Sequence, residues 1–289
     1  MNRSLLAVVL LLALSSDTLL PQWEKIAVAA QGKVGVAAKV VETGESAELN
    51  GGAHFPMQSV CKFPIAMDVL EQVDRGILRL DQKVMVRGSD LVPVRVHSPL
   101  RDQHPRGNVP VTIRELLRLM VSESDGTASD VLLRVLGGPE HVTTYLHNLG
   151  MSGIVIATSE KEMAQAQDVQ YRNWTTPAAM AELLIAFQQG KGLSAASRTL
   201  LLQWMAETET GLHRLKGLLP PGTVVAHKTG TSGTVGGLTA ATNDVGLITL
   251  PDGRHLAIAV FVSDAQASEQ VRERIIAQIA KASWNHWVQ

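Results

Sequence analysis

Ser59-Val60-Cys61-Lys62 sets a hydroxyl and an amine three residues apart at the head of an apolar-periodic stretch. On a helix that spacing puts both side chains on one face. A serine hydroxyl becomes a useful nucleophile when a neighbouring base takes its proton. Lysine serves as that base only if burial or nearby positive charge lowers its pKa from the ordinary ~10.4. The free N–H groups of a helix start can receive the oxyanion of an attacked carbonyl. Together these parts would perform acyl transfer. By itself the spacing recurs by chance, as a capping serine beside a solvated lysine. Two further polar sets follow. Ser124-Asp125-Gly126 lies between helical stretches and by itself reads as a polar turn. Lys228-Thr229-Gly230-Thr231 follows a strand candidate and by itself reads as a strand end entering a Gly-rich loop.

The elements that must position these sets fall into three blocks. Residues 21–30 read as an opening helix. Residues 33–42 and 45–50, joined by Thr43-Gly44, read as two antiparallel strands. From Ser59 to Leu219 the signals are mainly helical. Helices are expected at 59–75, 113–120, 127–136, 139–149, 176–189 and 194–206. Thr112 with Glu115 predicts a capping box. Pro177 suits a first turn and Gly190 a stop. Strands return at 223–227, 244–250 and 255–262, the last two flanking the tight turn Pro251-Asp252-Gly253-Arg254. A closing helix spans 266–287, with Val271, Ile275, Ile276, Ile279 and Trp284 on its apolar face. Two lone strands cannot bury a face. Pairing them with the three late strands gives an α+β fold. It is an antiparallel five-stranded sheet flanked by the N- and C-terminal helices, with an inserted all-helical lobe. The sheet lobe is then 16–58 and 220–289, and the helical lobe 59–219.

The 289 residues carry 26 Lys and Arg against 27 Asp and Glu, a net charge of −1. That balance leaves no electrostatic footprint for nucleic acid. Apolar residues at 45% and charged residues at 18% exclude a disordered chain. Residues 1–15 carry one charge, Arg3, then an apolar run over 5–14, then the small residues Ala13 and Ser15. This is the pattern of a secretory signal peptide. The run is shorter than the ~20 residues of a membrane-spanning helix. The expectation is a soluble, secreted or periplasmic monomer with no membrane span after cleavage. The single cysteine, Cys61, allows no internal disulfide. Its position in the helix reads as a small buried hydrophobe. The nine histidines form no H-E-x-x-H motif. Neither a metal nor an organic cofactor is expected.

In this order, S-x-x-K, S-D-N and K-T-G are the sets of penicillin-binding proteins and class A β-lactamases, and this chain matches them with Gly in place of the Asn. The sequence resembles a class A serine β-lactamase, an extended-spectrum-like branch, across nearly the whole chain beyond the export signal. The resemblance implies a two-lobed fold and hydrolysis of the β-lactam ring of penicillins and cephalosporins, conferring antibiotic resistance. It makes Ser59 the nucleophile, Lys62 its proton shuttle and Ser124 a proton donor toward the lactam nitrogen. Lys228, Thr229, Gly230 and Thr231 would hold the substrate carboxylate, with Asp125 tying the Ser124 turn in place. The N–H groups of Ser59 and Thr231 would form the oxyanion hole. Arg214 would reach the carboxylate beside the K-T-G strand. An omega loop near 155–175 would supply Glu160 as the base that activates water, with Glu162 as runner-up. His97 and Pro99 would stand at the gateway of the cleft or in a free loop.

Three departures mark this chain. Gly126 stands where the family has an Asn that contacts substrate. Ala164 stands where an Asn holds the hydrolytic water. Asp130 replaces a further Asn. The expected partner is a small β-lactam molecule. The alternative is a penicillin-binding carboxypeptidase acting on peptidoglycan without fast deacylation. A β-lactam sensor domain is a further rival.

Overall fold

The Val- and Ala-rich stretches at the two ends of the chain meet in one antiparallel sheet. The computed structural model describes residues 19–288. The export signal expected at 1–15 therefore lies outside the described residues. The chain opens with α1 (Leu19–Ala27), β1 (Lys33–Val40), β2 (Ser46–Leu49) and β3 (Phe55–Pro56). It continues through α2 (Lys62–Asp74), β4 (Lys83–Val86), α3 (Pro99–Gln103), β5 (Val109–Thr112), α4 (Ile113–Ser122), α5 (Gly126–Leu136) and α6 (Pro139–Asn148). Then come β6 (Ile154–Val155), α7 (Glu160–Met163), β7 (Trp174–Thr175), α8 (Pro177–Gln188) and α9 (Ala195–Ala206). It closes with β8 (Val225–Thr231), β9 (Thr234–Val235), β10 (Leu238–Thr249), β11 (His255–Ala265) and α10 (Glu269–Trp287).

The main sheet runs β2-β1-β11-β10-β8, and the two-residue β9 adds to β10 as a sixth strand. One face packs Ile258 and Val260 under Trp23 of α1 and Ile276 and Trp284 of α10. The other face sends Val245, Ala257 and Phe261 into a cluster shared with α2, α4, α5 and α8. The sheet is therefore sandwiched between two apolar clusters, a smaller one under the terminal helices and a larger one shared with the middle helices. Within the larger, Phe63 of α2 meets Phe187 of α8 edge to face at 5.3 Å between centroids, a geometry worth about 0.5–1.5 kcal/mol beyond burial.

The helical stretch is not all helical. It holds a β4–β5 hairpin and, with β3, a small β3-β7-β6 sheet. These strands are two to four residues long, too short for an alternating pattern to stand out. Three boundaries differ in ways that matter. β8 runs through Thr231, so Lys228 to Thr231 lie inside a strand rather than after one. β10 begins at Leu238, because Thr239 to Asp244 are buried strand positions filled by small and polar residues. Ser59 sits in a 3-10 turn, Gln58–Cys61, that hands over to α2. Val271 is 37% exposed and leaves the apolar face of α10 to its neighbours. Thr112 does cap α4, accepting the N–H of Glu115 at 3.2 Å. The Glu115 carboxylate turns to Arg118 instead of closing a box.

Candidate active site

The turn-to-helix transition at Ser59 aims Lys62 into the interior, where it is 1% exposed. A buried ammonium is tolerated only when each of its donors finds a partner. Lys62 Nζ donates to Ser59 Oγ at 2.9 Å and to the Ser124 carbonyl at 2.7 Å. It also lies 2.7 Å from Glu160 Oε1. One cation thus joins three segments of the chain. Cys61, next in sequence, faces the core. Burial, reinforced by the Glu160 charge, pushes its thiol up to about 12, so no reactive thiolate forms there.

Ser124 has φ +59°, the left-handed region that a non-glycine residue occupies at a cost of order 1 kcal/mol. Its neighbours over-determine the turn. Asp125 caps α5 through the Ala128 N–H at 2.8 Å, and its other oxygen accepts the Leu100 N–H at 2.6 Å. The Ser98 hydroxyl donates to both carboxylate oxygens. Gly126 lies behind this turn, donating its N–H to the His97 carbonyl at 2.9 Å. A Cβ there would stand 2.8 Å from Val96 Cγ1. Gly126 is therefore covered by the 95–97 loop and does not line the cleft. His97 lines it, and Pro99 instead starts α3.

Across the cleft β8 presents Lys228, fully buried, with Nζ donating to Ser124 Oγ at 2.9 Å. Burial, helped by the like charge of Lys62, pushes Lys228 down to about 7. Thr229 Oγ1 meets Thr210 Oγ1 at 2.7 Å. Gly230 is a steric necessity, since an added Cβ would sit 2.3 Å from the Met57 carbonyl oxygen. Thr231 is exposed to the cleft. Arg214 is neither a surface side chain nor open to the cleft: it is 3% exposed. Its Nη2 donates to Thr231 Oγ1 at 2.8 Å, its Nη1 to the Gly230 and Asn243 carbonyls, and its Nε to Glu273. It thus approaches the K-T-G strand from behind and touches the cleft through Thr231.

The third wall is the loop that carries Glu160 at the first position of α7. Ser159 caps that helix, and Glu162 returns its carboxylate to the Ser159 N–H at 2.8 Å, completing a capping box. Glu162 is occupied there, while Glu160 faces Lys62. Asp130 of α5 accepts the N–H groups of Glu160 and Lys161 at 2.7 and 3.0 Å. Its burial, with the Glu160 charge nearby, pushes its carboxyl up to about 7. Asn173 fastens the far end, accepting the Ala157 and Thr158 N–H groups and donating to the Thr158 carbonyl. Gln58, beside the serine, donates to Gln170 at 2.7 Å. The guanidinium of Arg95 donates to the Ala164 carbonyl. The walls enclose a cleft of about 770 Å³.

Ser59, Lys62, Ser124, Glu160, Thr229 and Thr231 thus converge on one cleft, with Lys228 buried beneath it. Sequence reasoning gives no role to Gln58, Gln170, Asn173 or Asn243. No local motif marks them, because each acts on a segment far away in sequence. Among the described residues no group of three or more His, Cys, Asp or Glu is placed to hold a metal ion. Among them, too, no helix is long and apolar enough to cross a membrane.

A family model described as the beta-lactamase enzyme family matches residues 21–287. Beta-lactamase VEB-1 of Pseudomonas aeruginosa is 42% identical over 275 residues, covering 94% of this chain and 91% of its own. The extended-spectrum beta-lactamase PER-1 of the same organism is 44% identical over 269 residues, covering 93% and 87%. The crystal structure of the TLA-1 extended-spectrum beta-lactamase superposes with a TM-score of 0.92 at 47% identity, covering 94% of this chain and 99% of that one.

Proposed function

The chain belongs to the beta-lactamase enzyme family, as a class A member, and we propose that it opens the β-lactam ring of penicillins and cephalosporins through an acyl-enzyme on Ser59. Hydrolysis of these antibiotics is the activity by which such an enzyme confers resistance. The observation that carries the assignment of residues is the Lys62 ammonium, in contact with Ser59, Glu160 and the Ser124 turn at once.

Ser59 Oγ attacks the lactam carbonyl. Its proton has a path through Lys62 to the Glu160 carboxylate, each contact being under 3 Å. The oxyanion is received by the N–H groups of Ser59 and Thr231. Ser124, hydrogen-bonded to Lys228, delivers a proton to the departing lactam nitrogen. Lys228, Thr229 and Thr231 hold the substrate carboxylate, with Arg214 orienting Thr231 rather than reaching the ligand itself. Glu160 passes the Ser59 proton back by way of Lys62 to replace the one Ser124 gave up. A carboxylate again, it takes a proton from water, which attacks the ester. This proton goes to Ser59 Oγ as the ester bond breaks and the serine is freed. This last step separates the proposed hydrolase from a penicillin-binding carboxypeptidase, which stays acylated. The signal pattern at residues 1–15 supports action outside the cytoplasm, in the periplasm or secreted.

Glu160→Gln tests the division of labour. After mixing with a cephalosporin, the intact-protein mass should rise by one acyl group and stay raised. Rapid return to the unmodified mass would remove Glu160 from deacylation.

A further inference from the structure

The face of β8 turned away from Ser124 carries a pair that the reaction above does not use. His227 and Asp244 are both fully buried. His227 Nδ1 lies 2.9 Å from each Asp244 carboxylate oxygen, and Asp244 Oδ2 also accepts the Leu215 N–H at 3.1 Å. His227 Nε2 has no hydrogen-bond partner among the described residues. A proton on Nε2 would be a buried, unsatisfied donor, whereas a proton on Nδ1 serves the carboxylate. The network therefore assigns the Nδ1–H tautomer and leaves Asp244 a buried anion held by two N–H groups. Gly246, opposite His227 in the β8–β10 register, lets the two strands approach closely here: an added Cβ would lie 2.8 Å from His227 Cβ and closer still to the Ala226 carbonyl oxygen.

Leu215 ends a short segment, 210–215, that touches the K-T-G strand twice. Thr210 bonds Thr229, and Arg214 bonds Thr231 and the Gly230 carbonyl. Asp244 anchors that segment to β10. We propose that the His227–Asp244 pair is a positioning latch for the carboxylate-binding residues. It seats segment 210–215 so that Thr210 and Arg214 keep the Thr229 and Thr231 hydroxyls aimed at the substrate's carboxylate. The latch rests on the assignment of Lys228, Thr229 and Thr231 as the carboxylate site. Its charge also acts on that site from behind. Asp244 works against the burial and the Lys62 charge that lower Lys228, while Cys61 and Glu160 act on Lys228 in the same upward sense.

The experiment compares a cephalosporin bearing its free carboxylate with the methyl ester of the same compound. Steady-state kinetics are measured for the parent enzyme, Asp244→Asn, His227→Leu and His227→Asn, with melting curves to establish that each is folded. Losing an acceptor in Asp244→Asn, or the donor in His227→Leu, should raise KM for the acid about tenfold and change kcat by no more than about twofold. His227→Asn places an amide N–H where Nδ1 stands and should recover most of that loss. On the ester all variants should match the parent. If Asp244→Asn does not fold, the two His227 variants carry the comparison. An equal penalty on acid and ester, or a loss confined to kcat, overturns the latch. A parent enzyme that handles the ester as well as the acid instead overturns the carboxylate site on which the latch depends.

Discussion

Two walls of the cleft are built by different means. On the β8 wall the polar groups ride on a backbone ladder, with Lys228 opposite Val245 and Thr231 opposite Thr242 of β10. On the Glu160 wall the backbone makes a helix of four residues, and side chains do the fastening. Asp130, Glu162, Asn173 and Gln170 each satisfy one piece of the loop. Ladder bonds are replicated along a strand, so losing one neighbour barely moves the next. Side-chain fastenings are single, so each loss is local and complete. The comparison teaches where this enzyme is easily altered: the Glu160 wall takes its shape from a few residues, and the β8 wall from the fold.

Ser59→Ala removes the point on which both walls converge. It should lower turnover of a chromogenic cephalosporin roughly 10⁵-fold, and persistent turnover would dissolve the comparison along with the nucleophile. Asn173→Ala breaks the Glu160 wall. Asn173 is fully buried and pairs three backbone groups, so its loss should cost about 3 kcal/mol in urea unfolding. It should also depress kcat, because the loop that the side chain fastens carries Glu160, and its shift would also move the backbone carbonyl of residue 173 that accepts the Met57 N–H just ahead of Ser59. An unfolding midpoint close to the parent's would show that the loop is held elsewhere.

Gly126→Asn inserts an amide against Val96 and should destabilise by about 1–3 kcal/mol. The added side chain should meet the 95–97 loop rather than a ligand. A stable variant with altered substrate ratios would show instead that an Asn here reaches substrate. The last effect concerns pH. Asp130 is raised from 3.8 to about 7, so the folded state keeps a proton that the unfolded chain releases between those values. Stability from this group is therefore lost as pH rises through that window. Asp130→Asn removes the dependence, and its melting temperature should gain on the parent's from pH 4 to pH 7. Parallel curves would mean that Asp130 is already ionised in the fold.

Much of the fold and of the site is legible in the amino-acid sequence. Ser59 and Lys62 stand out by their spacing, whereas Ser124, Lys228 and Glu160 are picked out by the resemblance that the ordered motifs carry. Both ends of the chain can be assigned to one sheet, because two lone strands need partners. What stays hidden depends on distant segments. Asp130 reads as a substitution, yet its carboxylate oxygens meet N–H groups 30 and 31 residues on. Arg214 is expected near the ligand, but Glu273 and two carbonyls hold it behind the strand. Gly126 is judged in the sequence by its missing side chain, when the deciding fact is the Val96 methyl above it. No periodicity reports such contacts, since they are set by packing.

The core that Phe63, Phe187 and Phe261 share across sheet and helices settles how this cleft can adapt. A hinge between two bodies would have to pull apolar surface apart, at about 25 cal/mol for every Å² wetted. Substrates of different bulk must therefore be met at the rim, by the 95–97 loop, the Glu160 loop and the β9 hairpin. Packing thus ties sheet and helices together behind the cleft and leaves the rim as the part that can change shape without wetting the core.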